Sequence, residues 1–121
     1  MKEGNIILQK SYAFAVRIVR LSQFLVKEKQ AFQLADQIRR SGTSIGANVE
    51  EAVGGQSRKD FVSKCSIAYK EARETHYWLR LLRDTECLEL RLAESMMNDA
   101  EELKRILAAI ILSAQRPQKP D

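Results

Sequence analysis

Proline is missing from the first 116 residues of this 121-residue chain; both prolines, Pro117 and Pro120, fall in the last five. Proline inside a helix removes an amide donor and clashes with the preceding turn, so its absence leaves the whole interior free to be helical. Only five glycines and few runs of β-branched residues are present, which argues against a strand-and-turn architecture. The two cysteines, Cys65 and Cys87, form no CxxC pair. That excludes a zinc framework or a disulfide scaffold, and two isolated thiols fit a reducing cytosol. Long apolar runs are also missing. No segment suits a bilayer, and "MKEGNIILQKSYAF" lacks the apolar core of a signal peptide. A cytoplasmic location without a membrane partner is expected.

What remains is a globular composition, 45% hydrophobic and 30% charged, on a length suited to one domain with its own core. Four segments repeat apolar residues at alternating threes and fours. The first places Ile7, Phe14, Ile18, Leu21 and Leu25 on one face with Ser11 in register, and a flanking row of Leu8, Tyr12, Ala15, Val19 and Val26 widens it. So wide a face belongs to a helix with neighbours on two sides. The second stripe is Ile38, Gly42, Ile45, Val49 and Ala52. The third is Phe61, Cys65, Ala68, Ala72, Thr75, Leu79 and Leu82. The fourth is Ala93, Met96, Ala100, Leu103, Leu107, Ile110 and Ala114.

Short connections force antiparallel neighbours, so the expectation is an all-α, up-down-up-down four-helix bundle. Helices are expected over 6–29, 32–52, 57–84 and 89–115, forming one domain over 1–115 with a flexible tail over 116–121. Gly54 and Gly55 are expected to supply left-handed turn conformations, and Ser57 to cap the third helix with Asp60 three residues on.

Residues 39–61, "RRSGTSIGANVEEAVGGQSRKDF", interrupt this pattern with glycines and hydroxyls. A phosphate loop would need GxxxxGK[ST] after a strand, and neither is present. A di-iron bundle would need Glu-x-x-His pairs, but the one histidine, His76, has Arg73 three residues before it. A nucleophilic triad would need an oriented base, and His76 has no evident Ser or Cys partner. No catalytic residue, metal site or cofactor is therefore expected, and the chain reads as a non-enzyme.

At 100° per residue, Ser41, Ser44, Asn48 and Glu51 make a polar stripe on the flank of the second helix. The small residues there let another helix approach closely, which offsets the helix cost of glycine, about 1 kcal/mol. Asn48 and Glu51 need partners, and hydroxyls, backbone groups, Arg40 or Arg73 are candidates. The neighbouring helix belongs either to the same chain or to a second subunit. Tyr69, Tyr77 and Trp78 point in several directions on the third helix, more than a thin bundle buries on one face, which favours an interface.

The formal net charge is +4. Residues 1–30 hold six basic and two acidic residues, whereas 88–115 hold three basic and five acidic ones. Lys10, Arg17, Arg20 and Lys27 lie roughly along one outward side of the first helix. Repeated around an oligomer, such a stripe suits a sequence-tolerant, salt-sensitive polyanion contact with RNA or DNA, although no base-reading motif accompanies it.

At "RRSGTSIGANVEEA" the chain resembles the bacterial four-helix-bundle proteins of the 23S rRNA intervening-sequence type. Arg40, Ser41, Ser44, Ile45, Asn48, Val49 and Glu51 match their pattern, roughly R-S-x-x-S-I-x-x-N-[IV]-x-E-G, and Ala52 replaces its last glycine. Phe61, Ile67–Ala68 and Glu74 follow at the usual places, while Lys70 and Glu71 stand where Gly-Ser is usual. The resemblance covers about residues 7–112 and implies a non-catalytic bundle assembling as a ring, commonly a homopentamer. A related branch resembles the accessory protein of diversity-generating retroelements, which binds nucleic acid and a reverse transcriptase. Two functions are thus expected: a ring-forming accessory or scaffold protein binding RNA or a nucleoprotein partner, or a purely structural protein–protein module. Candidate interface residues are Arg40, Ser41, Ser44, Asn48, Glu51, Glu74 and Trp78.

Overall fold

A computed structural model describes residues 2–117, with side chains from Ile6 onward. Four helices follow in order: α1 (Lys2–Lys29), α2 (Phe32–Val53), α3 (Arg58–Asp84) and α4 (Leu90–Gln115). Cross-helix pairs fix the topology. Gly42 of α2 sits at Ile18 of α1 and Gly46 at Ser11, so the two run antiparallel. Ser41 meets Thr75 and Glu51 meets Lys64, which sets α2 against α3. His76 meets Glu101 across α3 and α4, and Lys10 meets Glu102 across α1 and α4. Helices adjacent in sequence pack closely, and α1 and α4 close the bundle more loosely. The expected up-down-up-down order is found. From residue 118 onward, the tail expected to be flexible lies outside the described residues.

The helices form because their apolar stripes meet in one core. Phe14, Ile18, Leu25, Ile38, Ile45, Leu79, Leu82, Met96, Leu103 and Leu107 are almost fully buried. The stripes of α2 and α4 are buried nearly as expected, as is that of α3 from Cys65 on. The flanking row of α1 differs. Leu8 and Ala15 are half-buried, while Tyr12, Val19 and Val26 stay exposed and are joined by Val16. Among the described residues, nothing buries Tyr12, Val16, Val19 or Val26.

The turns correct one expectation. No glycine among the described residues has positive φ; Gly54 sits at φ −84°. The left-handed residues are Gln30 (φ 52°) and Glu86 (φ 60°). At the end of α3, the Cys87 amide donates to the Leu82 carbonyl at 2.9 Å and the Glu86 amide to the Arg83 carbonyl at 3.1 Å. This is the Schellman arrangement, with glutamate in the place usually held by glycine. Gly55 serves close approach instead, since a Cβ there would lie 3.1 Å from the Ala52 carbonyl oxygen. Ser57 caps α3 as expected, its Oγ accepting from the Asp60 amide at 3.0 Å.

Candidate functional site

The polar residues of α2 face α3 of the same chain. Ser41 and Thr75 are both fully buried, and their hydroxyl oxygens lie 3.0 Å apart. The Thr75 hydroxyl also lies 2.7 Å from the Glu71 carbonyl oxygen. One helical turn outward, the Arg40 guanidinium pairs with both Glu71 and Glu74. Trp78 Nε1 donates to Glu74 Oε2 at 3.0 Å. Helix spacing explains the grouping: 71, 74, 75 and 78 share one face of α3. Burial raises the Glu71 carboxyl above its ordinary range, and Arg40 opposes that rise.

Of the seven residues marked in the sequence, the structure thus brings Arg40, Ser41, Glu74 and Trp78 together. Ser44 and Asn48 turn back on their own helix: Ser44 Oγ donates to the Arg40 carbonyl and Asn48 Nδ2 to the Ser44 carbonyl. Glu51 takes Lys64 at 3.2 Å, not Arg40 or Arg73. Among the described residues, no buried side-chain polar atom lacks a partner. The cluster works as a lock between α2 and α3, since buried polar groups become costly only when unpaired.

The glycines of the same stretch serve the other neighbour. A Cβ on Gly42 would lie 2.6 Å from Ile18 Cγ1, so the missing side chain is the seat of Ile18. Gly46 lies against the Ser11 backbone, where a Cβ would meet the carbonyl oxygen at 3.4 Å.

The four α1 cations marked in the sequence divide into two pairs. Lys10 pairs with Glu102 at 3.2 Å, and Arg17 with Asp99 at 2.6 Å, with Ser95 Oγ beside it. These two clasp α1 to the acidic α4. Arg20 and Lys27 are exposed and have no ion pair among the described residues.

Sequence reasoning missed a second basic face. Lys59, Lys70, Arg73 and Arg80 are exposed on α3 and enter no ion pair among the described residues. Tyr77 lies among them, 48% exposed, with Arg80 over its ring at 5.7 Å. The spacing was readable in the sequence; which cations are neutralised depends on the fold.

His76 is half-buried against α4, with Nε2 3.5 Å from Glu101. Burial lowers its proton affinity, outweighing the attraction of Glu101. Among the described residues, no group of three or more His, Cys, Asp or Glu is arranged to hold a metal, and no helix is long and apolar enough to cross a membrane. An apolar cavity of about 750 Å³ opens between the α1 and α3 starts and the α4 end, lined by Ile6, Phe61, Ile106 and Ile110.

An all-α bundle with a polar lock between α2 and α3 and its unpaired cations on outer faces defines the class. The family model described as "23S rRNA-intervening sequence protein" matches residues 3–109, and the chain belongs to that family. It is also similar to a solved protein of unknown function from the S23 ribosomal protein family of Bacteroides thetaiotaomicron VPI-5482. The two are 51% identical with a TM-score of 0.89, over 91% of this chain and 98% of that one. No curated protein matches.

Proposed function

We propose that this protein is a non-enzymatic, self-associating bundle that forms a ring, as a homopentamer, and acts as an accessory or scaffold protein binding RNA or a nucleoprotein partner. One observation carries this reading. The interior polar groups are satisfied within the chain, whereas an apolar row on α1 (Tyr12, Val16, Val19 and Val26) and several cations lie uncovered on the outside. Apolar rows of this kind are covered by partner subunits in assemblies, and unpaired cations attract phosphate. Membership in a family named for rRNA intervening sequences supports the choice of polyanion.

Light scattering in solution, with filter binding to structured RNA at two salt concentrations, tests both halves. A mass of five chains and tighter RNA binding at low salt are expected. A monomer, or RNA affinity no better than that of a neutral control protein, overturns the corresponding half. The apolar row also fits an unrelated protein, which makes a protein-docking module, with a reverse transcriptase among its candidate partners, the second reading. A captured partner that survives nuclease treatment, together with absent RNA binding, favours that reading.

A further inference from the structure

We infer that single-stranded RNA docks along the outer face of α3, with Lys59, Lys70, Arg73 and Arg80 holding phosphates and Tyr77 offering a surface for a base. This rests on the proposed RNA-binding function and moves its contact from α1 to α3. Three observations support it.

At 3.6 residues per turn, Lys59, Lys70, Arg73, Tyr77 and Arg80 fall within an arc of about 80°. The centre of that arc lies about 150° round the helix from the buried stripe of Cys65, Ala68, Ala72, Thr75, Leu79 and Leu82, so the row faces outward. From Lys59 to Arg80 it runs about 32 Å along the helix at 1.5 Å per residue, room for several nucleotides.

The four cations of the row also enter no ion pair among the described residues. Of the acids of α3, Glu71 and Glu74 pair with Arg40 and Asp84 with Arg83, while Asp60 beside Lys59 enters no ion pair among the described residues. The α1 stripe is different, because Lys10 and Arg17 are held by α4 acids and would have to give up those partners to take phosphate.

Finally, the basic row contains an exposed aromatic. Tyr77 meets the Trp78 ring edge-to-face at 5.1 Å between centroids, which holds its position. Arg80 lies over the ring. Tyrosine and arginine planes are the surfaces on which unpaired bases stack, and a solvated helix face has no need of them.

The test is fluorescence anisotropy of the full chain with a labelled 20-residue oligouridylate across a salt series. The variants are Lys70→Ala with Arg73→Ala on α3, Arg20→Ala with Lys27→Ala on α1, and Tyr77→Ala. All are exposed substitutions, and circular dichroism checks that they fold. The α3 pair is expected to weaken binding by about tenfold or more and to lower the salt slope by about 1.4, the loss for two phosphate contacts on a single strand. Tyr77→Ala is expected to weaken oligouridylate binding while leaving inorganic polyphosphate binding unchanged. If the wild type binds and only the α1 pair loses affinity, the α3 assignment fails and RNA binding by the bundle stands. If the wild type binds neither RNA nor matched DNA at low salt, the underlying function fails as well.

Discussion

Ile18 of α1 is seated in the gap left by Gly42 of α2: a Cβ on that glycine would lie within 2.6–2.9 Å of three Ile18 side-chain carbons. Both residues are buried, so the clash has no outlet to solvent. Gly42→Ala is expected to destabilise the fold by about 1–3 kcal/mol, the usual range for overpacking, despite alanine's better helix propensity. With Ile18→Ala already present, the same change becomes neutral or stabilising by up to about 1 kcal/mol. Urea unfolding of the four proteins in this cycle measures the coupling. Equal costs in both backgrounds would show that Ile18 is not what the glycine accommodates.

Ser41 and Thr75 form the buried centre of the α2–α3 contact. Ser41→Ala and Thr75→Val are each expected to cost about 1 kcal/mol, the net value of one hydrogen bond. The double variant should cost less than the sum, because once both hydroxyls are gone neither is left without its partner. Thermal melting reads this directly, and strict additivity would count against the two acting as a pair.

The core was legible in the sequence because helical periodicity and burial report the same geometry. Ile38, Ile45 and Val49 marked the α2 face across two glycines, and all three are buried. The polar flank was legible as a flank, but its partner was not: Ser41, Arg40 and Glu51 meet residues 34, 34 and 13 positions away along the chain. Pairing of charges was least visible. Lys10 and Arg17 looked like surface cations until α4 brought Glu102 and Asp99 to them. Turn chemistry misled for a local reason, since Gly54 and Gly55 advertised left-handed backbone that Gln30 and Glu86 adopt instead.

That exchange has a measurable consequence. Glu86 holds φ at 60° with its amide and that of Cys87 engaged in the α3 terminus. A side chain in this conformation is strained and glycine is not. Glu86→Gly is expected to stabilise the protein by about 0.5–1 kcal/mol, whereas Gly54→Ala, at negative φ, should give no strain-derived loss. Urea midpoints at neutral pH compare them, and a destabilised Glu86→Gly would show that the glutamate side chain contributes more than its backbone costs.

Arg40 bridges Glu71 and Glu74, with Trp78 bonded to the same Glu74 oxygen. The arginine is half-exposed, so Arg40→Met is expected to cost only about 0.5–1 kcal/mol at neutral pH. Trp78 is the one tryptophan of the chain, and its emission should shift as Glu74 loses its anchor. Lys64→Met, which frees Glu51 at the other end of the seam, should leave emission unchanged. Removing Arg40 also changes the pH response. Burial raises Glu71 above its ordinary 4.5, against the pull of Arg40. A raised carboxyl favours the fold while protonated, and that contribution is lost as pH rises through the folded value. Without the guanidinium the rise is larger, so stability between pH 4 and neutrality should fall more steeply in Arg40→Met than in the wild type.

His76 gives the opposite sign. Burial against α4 depresses its proton affinity below the ordinary 6.5; Glu101 pulls it back up, and Lys104, Arg80 and Arg83 add to the depression. Above 6.5 the imidazole is neutral in both folded and unfolded chains. As pH falls, the unfolded chain takes up the proton first, so folded stability declines until the folded value is passed. The carboxyls held low by their partners, Glu101 and Asp84, act only below their ordinary values of 4.5 and 3.8, and the raised Glu71 acts in the wild type and the His76 variant alike, so the difference between the two isolates the imidazole. Between pH 7.5 and 5.5 the wild type should therefore lose stability relative to His76→Gln. Urea midpoints of the two proteins at both pH values measure the difference, and parallel changes would show that the imidazole protonates as readily in the bundle as in the unfolded chain.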